Sequence, residues 1–216
     1  MKAKPALLIA ILFIGWVLID LCVPRKGDFR HFDPAAVARL DESMWRAYYE
    51  QKPLLLGWQS ARLLREQVHA PFWRSFVIAY HAAKAAFVFK DGKTRADYNR
   101  ALPSLTAFYG HISRLGNHPI DVPKAARNEL EWWIIRRERE RHPPQEWAAL
   151  QAKIAADLYQ IPVVSCARYG QLRTEAMRYR DQKGEAMAEA DWHIVQQRLE
   201  QAWRALSTAV SHTDRR

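Results

Sequence analysis

The sequence predicts an all-α protein in which a single N-terminal transmembrane helix precedes a globular bundle of seven to eight helices. Three observations predict this class. The 216 residues are 49% hydrophobic and include 9 Trp, 8 Tyr and 8 Phe, which is enough to close a hydrophobic core. Only 8 residues are glycine, and no Val/Ile/Thr-rich runs flank an Asn-Gly turn, so β-hairpin signals are missing. Apolar residues instead recur at spacings of three and four.

Residues 1–23 are expected to form a transmembrane anchor. The run from Ala6 to Val23, ALLIAILFIGWVLIDLCV, contains one charged residue, Asp20, and as a helix it would extend about 27 Å, close to the hydrocarbon thickness of a bilayer. A cleaved signal peptide is the alternative, but the run is longer than a usual signal core and no Ala-x-Ala-like site follows it. We therefore expect residues 6–23 to cross a lipid bilayer once.

The orientation of this anchor is judged by comparing the basic residues on the two sides of the apolar run. Lys2 and Lys4 precede the apolar run, and Arg25, Lys26 and Arg30 follow it, so basic residues lie on both flanks. The positive-inside rule is therefore close to a tie. Because Sec-type anchors usually leave the following domain outside, we expect the bundle on the extracytoplasmic side.

Residues 24–33 are predicted to form a polar connector, and residues 34–216 a single all-helical domain. Asp33 and Pro34 are an N-cap followed by proline at the first helical position, where the first helix of the domain begins. Later helix boundaries are marked by Pro53, Pro71, Asp91-Gly92, Thr94 with Asp97, Gly116, Asp121, His142-Pro143-Pro144, Pro162, Gly184 and Asp191. No repeat of fixed period and no long linker divides this part of the chain.

Two helices of the domain show which faces should be buried. In the first, Val37, Leu40, Met44 and Tyr48 recur at helical spacing, which predicts that they face the core. The third begins after Pro71 and is apolar on nearly all sides, which is typical of a central helix.

A later helix contains adjacent tryptophans in the stretch NELEWWIIRRERERH, residues 128–142. At 100° per residue, Trp132 and Trp133 point to different sides, so neighbouring helices should contact this helix on two sides. Glu131 lies between the two apolar arcs and is a candidate for a partly buried carboxylate, with Arg127 four residues earlier as its partner. Burial raises the pKa of a carboxyl group, which is a common property of catalytic acids. The structural alternative is an ion pair at the edge of the core.

Other chemistries lack their usual sequence signatures. The chain has no nucleotide-binding glycine loop, zinc-protease helix, Cys-x-x-Cys pair, Gly-x-Ser-x-Gly elbow or Glu-x-x-His pair. A di-metal site in the bundle would have to use Glu50, His81, His111 and Glu131, one from each of four helices. Helix phase favours a surface pair with Arg46 for Glu50 and structural roles for both histidines. We therefore expect no metal and no cofactor.

The chain is basic, with 33 Lys and Arg against 23 Asp and Glu and a formal charge of +10. This surplus favours anionic partners such as lipid headgroups, nucleic acid or acidic wall polymers. Arg136, Arg137, Arg139 and Arg141 are candidates for binding phosphates, although the two glutamates among them also suit a solvated helix end. The aromatic residues follow helical core spacing and no zinc-finger or RNP pattern is present, so specific nucleic-acid binding is not expected.

These features favour a binding protein over an enzyme. We expect a membrane-anchored interaction or scaffolding module of the cell envelope, with the lipid bilayer as one partner and a protein in the membrane as another. Two other hypotheses stay open. One is a helical-bundle enzyme with a buried carboxylate site at Glu131, and the other is an electrostatic binder of anionic lipid or polymer.

Overall fold

A computed structural model describes residues 3–213, so residues 1–2 of the predicted anchor and 214–216 of the predicted domain lie outside the described part. Helix makes up 81% of the chain, and no strand occurs among the described residues, which confirms the all-α class. The helices are α1 (Ala3–Cys22), α2 (Pro34–Tyr49), α3 (Pro53–Val68), α4 (Phe72–Asp91), α5 (Arg95–Asn99), α6 (Leu102–Leu115), α7 (Val122–Arg137), α8 (Pro144–Tyr159), α9 (Ala167–Lys183) and α10 (Glu189–Thr213). Among these α-helices of the described residues, only α5, with five residues, is short.

Three helices start at a side-chain cap that the sequence predicts. The carboxylates of Asp33 and Asp121 each accept a hydrogen bond from a backbone N–H in the first turn of α2 and α7. Thr94 and Asp97 form a capping box at the start of α5. Each cap satisfies N–H groups that have no partner within the helix.

The eight long helices that follow α1 close a ring. Each of α2, α3, α4, α6, α7, α8 and α9 packs against the next long helix along the chain, and α10 packs back against α2. The short α5 lies between α4 and α7. Buried residues from all of these helices form one continuous hydrophobic cluster. Helix α1 contributes no residue to that cluster and contacts the bundle at α4.

The segment 24–33, predicted as a polar connector, packs against the bundle. Phe29 is 6% exposed, and the backbone N–H of Gly27 donates to the carbonyl of Leu115 at 2.8 Å. Phe32 contacts aromatic rings of α8 and α10. Contacts at Gly27, Phe29 and Phe32 therefore link the segment after α1 to the bundle.

The buried face of α2 differs from the predicted one. Val37 is buried as predicted, but Leu40 and Met44 are only partly buried and Tyr48 is 62% exposed. Asp41 is 0% exposed instead. The face is rotated because α9 and α10 provide hydrogen-bond donors for Asp41, which the pattern of α2 alone cannot show.

The apolar surface of α4, which the sequence predicts to be that of a central helix, is not all buried. Tyr80 and Phe87 are 60% and 67% exposed. Part of the additional apolar surface of α4, at Phe72 and Trp73, contacts α1 and not the core. On α7, by contrast, Trp133 packs against α4 while the helix itself lies between α6 and α8, so neighbours contact it on more than one side, as predicted.

Candidate functional site

Glu131 forms an ion pair at the surface of α7. Its carboxylate accepts hydrogen bonds of 2.6 and 3.0 Å from the guanidinium of Arg95, and its side chain is 39% exposed. These hydrogen bonds lower the pKa of Glu131, which is opposite to the shift expected for a buried acid. The predicted pairing with Arg127 is wrong, because Arg95 at the start of α5 occupies the carboxylate.

Glu129, two residues earlier on α7, is a carboxylate with a raised pKa. It accepts hydrogen bonds of 2.9 Å from the Tyr109 hydroxyl and from Nε1 of Trp133. Loss of solvation raises the pKa of Glu129 even though both bonds lower it. Sequence reasoning missed this residue. The available signal was its spacing of four from Trp133, which places an indole donor on the same helix face.

The four residues considered for a metal site do not come together. Glu50 pairs with Arg46 at 2.8 Å, as predicted, and Glu131 is paired as described above. Only His81 and His111 meet, with stacked rings whose centroids are 5.2 Å apart. Loss of solvation and nearby basic side chains lower the pKa of both imidazoles. Among the described residues, no group of three His, Cys, Asp or Glu side chains is placed to hold a metal ion.

The four arginines that follow the tryptophans have two different roles. Arg136 binds the carboxylate of Asp181 at 2.5 Å. Arg137 donates to three backbone carbonyls at the C-terminal end of α4, at 2.9, 3.0 and 3.2 Å. Arg139 and Arg141 are exposed. Arg136 and Arg137 therefore bond to other helices, whereas Arg139 and Arg141 face solvent and Arg141 pairs with the nearby Glu138 at 3.7 Å.

A buried charge pair lies inside the ring of helices. Both carboxylate oxygens of Asp41 accept hydrogen bonds from the guanidinium of Arg173 on α9, and one also accepts from Nε1 of Trp203 on α10 at 2.9 Å. The two charged side chains are 0% and 13% exposed. Burial alone would lower the pKa of Arg173. The negative charge and hydrogen bonds of Asp41, together with nearby acidic side chains, outweigh this effect, so the pKa of Arg173 is raised above its ordinary value. The pair links α2, α9 and α10 and leaves neither carboxylate oxygen free for chemistry.

The buried thiol of Cys166 is not a nucleophile. Cys166 is 0% exposed, and burial raises its pKa to about 12. The thiolate is the reactive form, and a thiol with this pKa stays protonated at neutral pH.

Helices α1 and α4 cap each other. The Asp20 carboxylate accepts hydrogen bonds from the backbone N–H groups of Trp73 and Arg74 in the first turn of α4, at 2.7 and 3.2 Å. In return, the Arg74 guanidinium donates to the backbone carbonyls of Asp20 and Val23 at the end of α1. Each helix thus satisfies backbone groups at the end of the other. Asp20 is 3% exposed, and its charge also suits the positive end of the α4 dipole.

Aromatic rings extend this contact along α1. The Trp16 ring centroid lies 5.5 Å from Trp73 and 5.7 Å from Phe72, and Phe13 lies 5.8 Å from Trp73. Ring pairs of this kind contribute about 0.5–1.5 kcal/mol each beyond the area they bury. We call these rings, together with the Asp20 and Arg74 caps, the α1–α4 junction.

The junction was not predicted from the sequence, in which Asp20 appeared only as a charge close to the end of an apolar run. The signal lay at the start of α4. Its N-cap residue is Pro71, which has no side-chain acceptor, so the first N–H groups of α4 need one from elsewhere in the chain.

A groove of about 570 Å³ lies beside the junction, between the end of α1, α4, α6 and the loop after α6. Lys26, Arg74 and Arg114 line it together with His111 and His118, and no Asp or Glu is among its lining residues. We call it the basic groove.

No protein-family model, curated protein sequence or solved structure matches this chain. Its function must therefore be inferred from its own geometry. In that geometry, the residues considered for catalysis and metal binding do not form a common site. It brings together the end of an apolar helix, the start of α4 and the basic groove.

Proposed function

We propose that the protein is a single-pass membrane protein whose helical bundle is held at the bilayer surface by α1 and acts as a binding or scaffolding module of the cell envelope. The observation that carries this proposal is the reciprocal capping of α1 and α4 by Asp20 and Arg74. Through it, α1 is structurally part of the folded bundle.

The surface of α1 supports a lipid environment. The 18 residues from Pro5 to Cys22 have a mean hydropathy of 2.4, and only 6% of them are buried, so this helix is long and apolar enough to span a membrane. Leu7, Ile9 and Leu12 are between 63% and 67% exposed. Exposed apolar area costs about 25 cal/mol per Å² in water, and acyl chains remove that cost.

The junction favours a retained anchor over a cleaved signal peptide. Removing α1 would take the Asp20 acceptor away from the first turn of α4, and a capping interaction contributes about 1 kcal/mol. It would also leave Phe72 and Trp73 without the rings that now pack against them. A segment that is discarded after export has no need of such contacts.

The junction also favours one orientation of the bundle on the membrane. At 1.5 Å per residue, Phe13 lies about 13 Å from Cys22 along the helix axis. Because Trp73 contacts Phe13, its ring would reach towards the middle of the bilayer. Asp20, which accepts from the first turn of α4, lies only about 3 Å from Cys22 along the axis and would hold that turn near the membrane surface.

The charged residues of the bundle support binding more than catalysis. Glu131 is paired with Arg95 and has a lowered pKa, Asp41 is bonded to Arg173, and Cys166 is protonated. None of these groups combines an unpaired reactive atom with access to a substrate. No observation therefore favours the hypothesis of an enzyme centred on Glu131.

Cell fractionation tests the anchor. We expect the intact chain in the membrane pellet after an alkaline carbonate wash, with its N-terminal residues detected by intact-mass analysis. An intact chain in the supernatant would contradict the proposal, and so would a chain that has lost its first twenty-odd residues.

The scaffolding role has a separate test. Chemical cross-linking in the membrane, followed by detergent extraction and affinity purification, should recover a stoichiometric protein partner. Recovery of the chain alone at every cross-linker length would remove the scaffolding role and leave the anchor in place.

A further inference from the structure

The basic groove carries positive charge that no neighbouring carboxylate neutralises. Lys26 and Arg114 are exposed, and neither forms an ion pair with a described carboxylate. The carboxylates on adjoining segments have other partners. Asp20 accepts from the first turn of α4, and Asp28 is hydrogen-bonded to the His31 ring at 3.1 Å. The charge in the groove is therefore available to an anion from outside the protein.

Two further groups give the groove a defined wall. Arg74 is held by backbone carbonyls at the end of α1 through Nε and Nη2, while its Nη1 makes no hydrogen bond to a described residue. His111 has a lowered pKa, first through loss of solvation and then through the nearby charges of Arg114 and Arg74. Burial is the larger cause of this shift, and the part that Arg114 and Arg74 cause reflects their positive charge beside the groove.

The position of the groove relates it to the membrane. Leu21 and Cys22, the last residues of the apolar stretch, line it together with Val77 and Pro119. With α1 in a bilayer, the groove would open at the level of the lipid phosphates. Its volume of about 570 Å³ lies within the range of roughly 300–1,000 Å³ that is usual for small-molecule sites.

We propose that the basic groove binds the phosphate of an anionic phospholipid headgroup in the leaflet next to the bundle. Lys26, Arg74 and Arg114 would donate charge-assisted hydrogen bonds to the phosphate oxygens, and the apolar wall would contact the glycerol and the first acyl carbons. This inference rests on the proposed anchoring by α1. A lipid suits the site better than a nucleic acid, which requires an extended basic surface.

The test uses the full chain in phosphatidylcholine nanodiscs. Acyl-labelled phosphatidylglycerol is titrated in, and binding is followed by energy transfer from the protein tryptophans. The double variant Lys26→Gln/Arg114→Gln should bind the labelled lipid roughly thirtyfold more weakly, because each basic residue near a membrane surface strengthens binding of anionic lipid about fivefold.

A matched control removes the same charge elsewhere. Arg139→Gln/Arg141→Gln alters two exposed arginines of the run considered as an anion site, and it should change binding by less than about twofold. Circular dichroism verifies that both double variants keep their helix content. Equal losses in the two double variants, or no loss in either, would overturn the site in the groove.

Three further outcomes show which part of the proposal fails. If soluble glycerol phosphate binds as tightly as the labelled lipid, the ligand is a free phosphate ester and the lipid assignment fails. If the wild-type chain does not enter phosphatidylcholine nanodiscs, the proposed anchoring fails, and the lipid assignment fails with it. Insertion without any preference for phosphatidylglycerol overturns the groove alone.

Discussion

Replacing Asp41 with asparagine tests the buried charge pair inside the ring of helices. Asp41→Asn leaves the guanidinium of Arg173, whose side chain is 13% exposed, without a counter-charge. Removing one partner of a buried ion pair costs about 3–5 kcal/mol. The amide oxygen can still accept the 2.9 Å hydrogen bond from Trp203, so that bond adds no further loss. We therefore expect the free energy of unfolding to fall by about 3–4 kcal/mol.

The assay is urea unfolding of the full chain in detergent micelles, followed by tryptophan fluorescence and far-ultraviolet circular dichroism. An exposed pair provides the matched control. Arg46 binds Glu189 at 2.7 Å, with side chains 36% and 63% exposed. Glu189→Gln should therefore lower the free energy of unfolding far less than Asp41→Asn, because solvent screens an exposed pair. An unchanged dependence of the free energy on urea would show that each variant unfolds from an equally compact state.

A double variant separates the cost of an unpaired charge from the contribution of the pair. Asp41→Leu with Arg173→Met removes both charges and should be more stable than Asp41→Asn, because no uncompensated charge is left in the core. If Asp41→Asn costs no more than Glu189→Gln, the pair is solvated and the reasoning is refuted.

Two further predictions concern a carboxyl group and a pair of glycines. Loss of solvation raises the pKa of Glu129 above its usual 4.5, so its contribution to stability is complete below pH 4.5 and is lost as the pH rises through the raised value. Glu129→Gln should weaken the fall of the urea unfolding midpoint with rising pH. Identical pH profiles of the midpoint in the variant and the wild type would contradict the desolvation of Glu129. A Cβ at Gly170 would lie 2.1 Å from a backbone oxygen of α8, whereas one at Gly57 would meet nothing within 4 Å. In the same assay, Gly170→Ala should lower the free energy of unfolding by about 1–3 kcal/mol. Gly57→Ala should raise it by about 0.5–1 kcal/mol. Equal effects of the two substitutions would contradict the close packing of α8 and α9.

The helix boundaries were predictable because their signals are local. Asp33, Thr94 and Asp121 cap helices with their own side chains, and the prolines at helix starts act through their own backbone. None of these signals depends on which helices are neighbours, so the fold class could be read from one sequence.

The polar positions inside the bundle were not predictable, because they depend on which helix faces meet. Glu129 and Glu131 are two residues apart on α7, with Leu130 between them. Arg95 on α5 pairs with Glu131 at the surface, and Tyr109 on α6 donates to Glu129 in the interior. The α1–α4 junction was not predictable for the same reason. Asp20 accepts a hydrogen bond from the N–H of Trp73, which is 53 residues later in the chain.

Helix α1 and the bundle should move as one body in the bilayer. Spin labels at Leu12 on α1 and Lys90 on α4, both exposed, report this directly by pulsed electron–electron double resonance in nanodiscs, in a chain with Cys22→Ser. We predict one narrow distance distribution, which broadens when Asp20→Ala removes the cap of α4. A broad distribution that Asp20→Ala does not change would contradict the fixed junction.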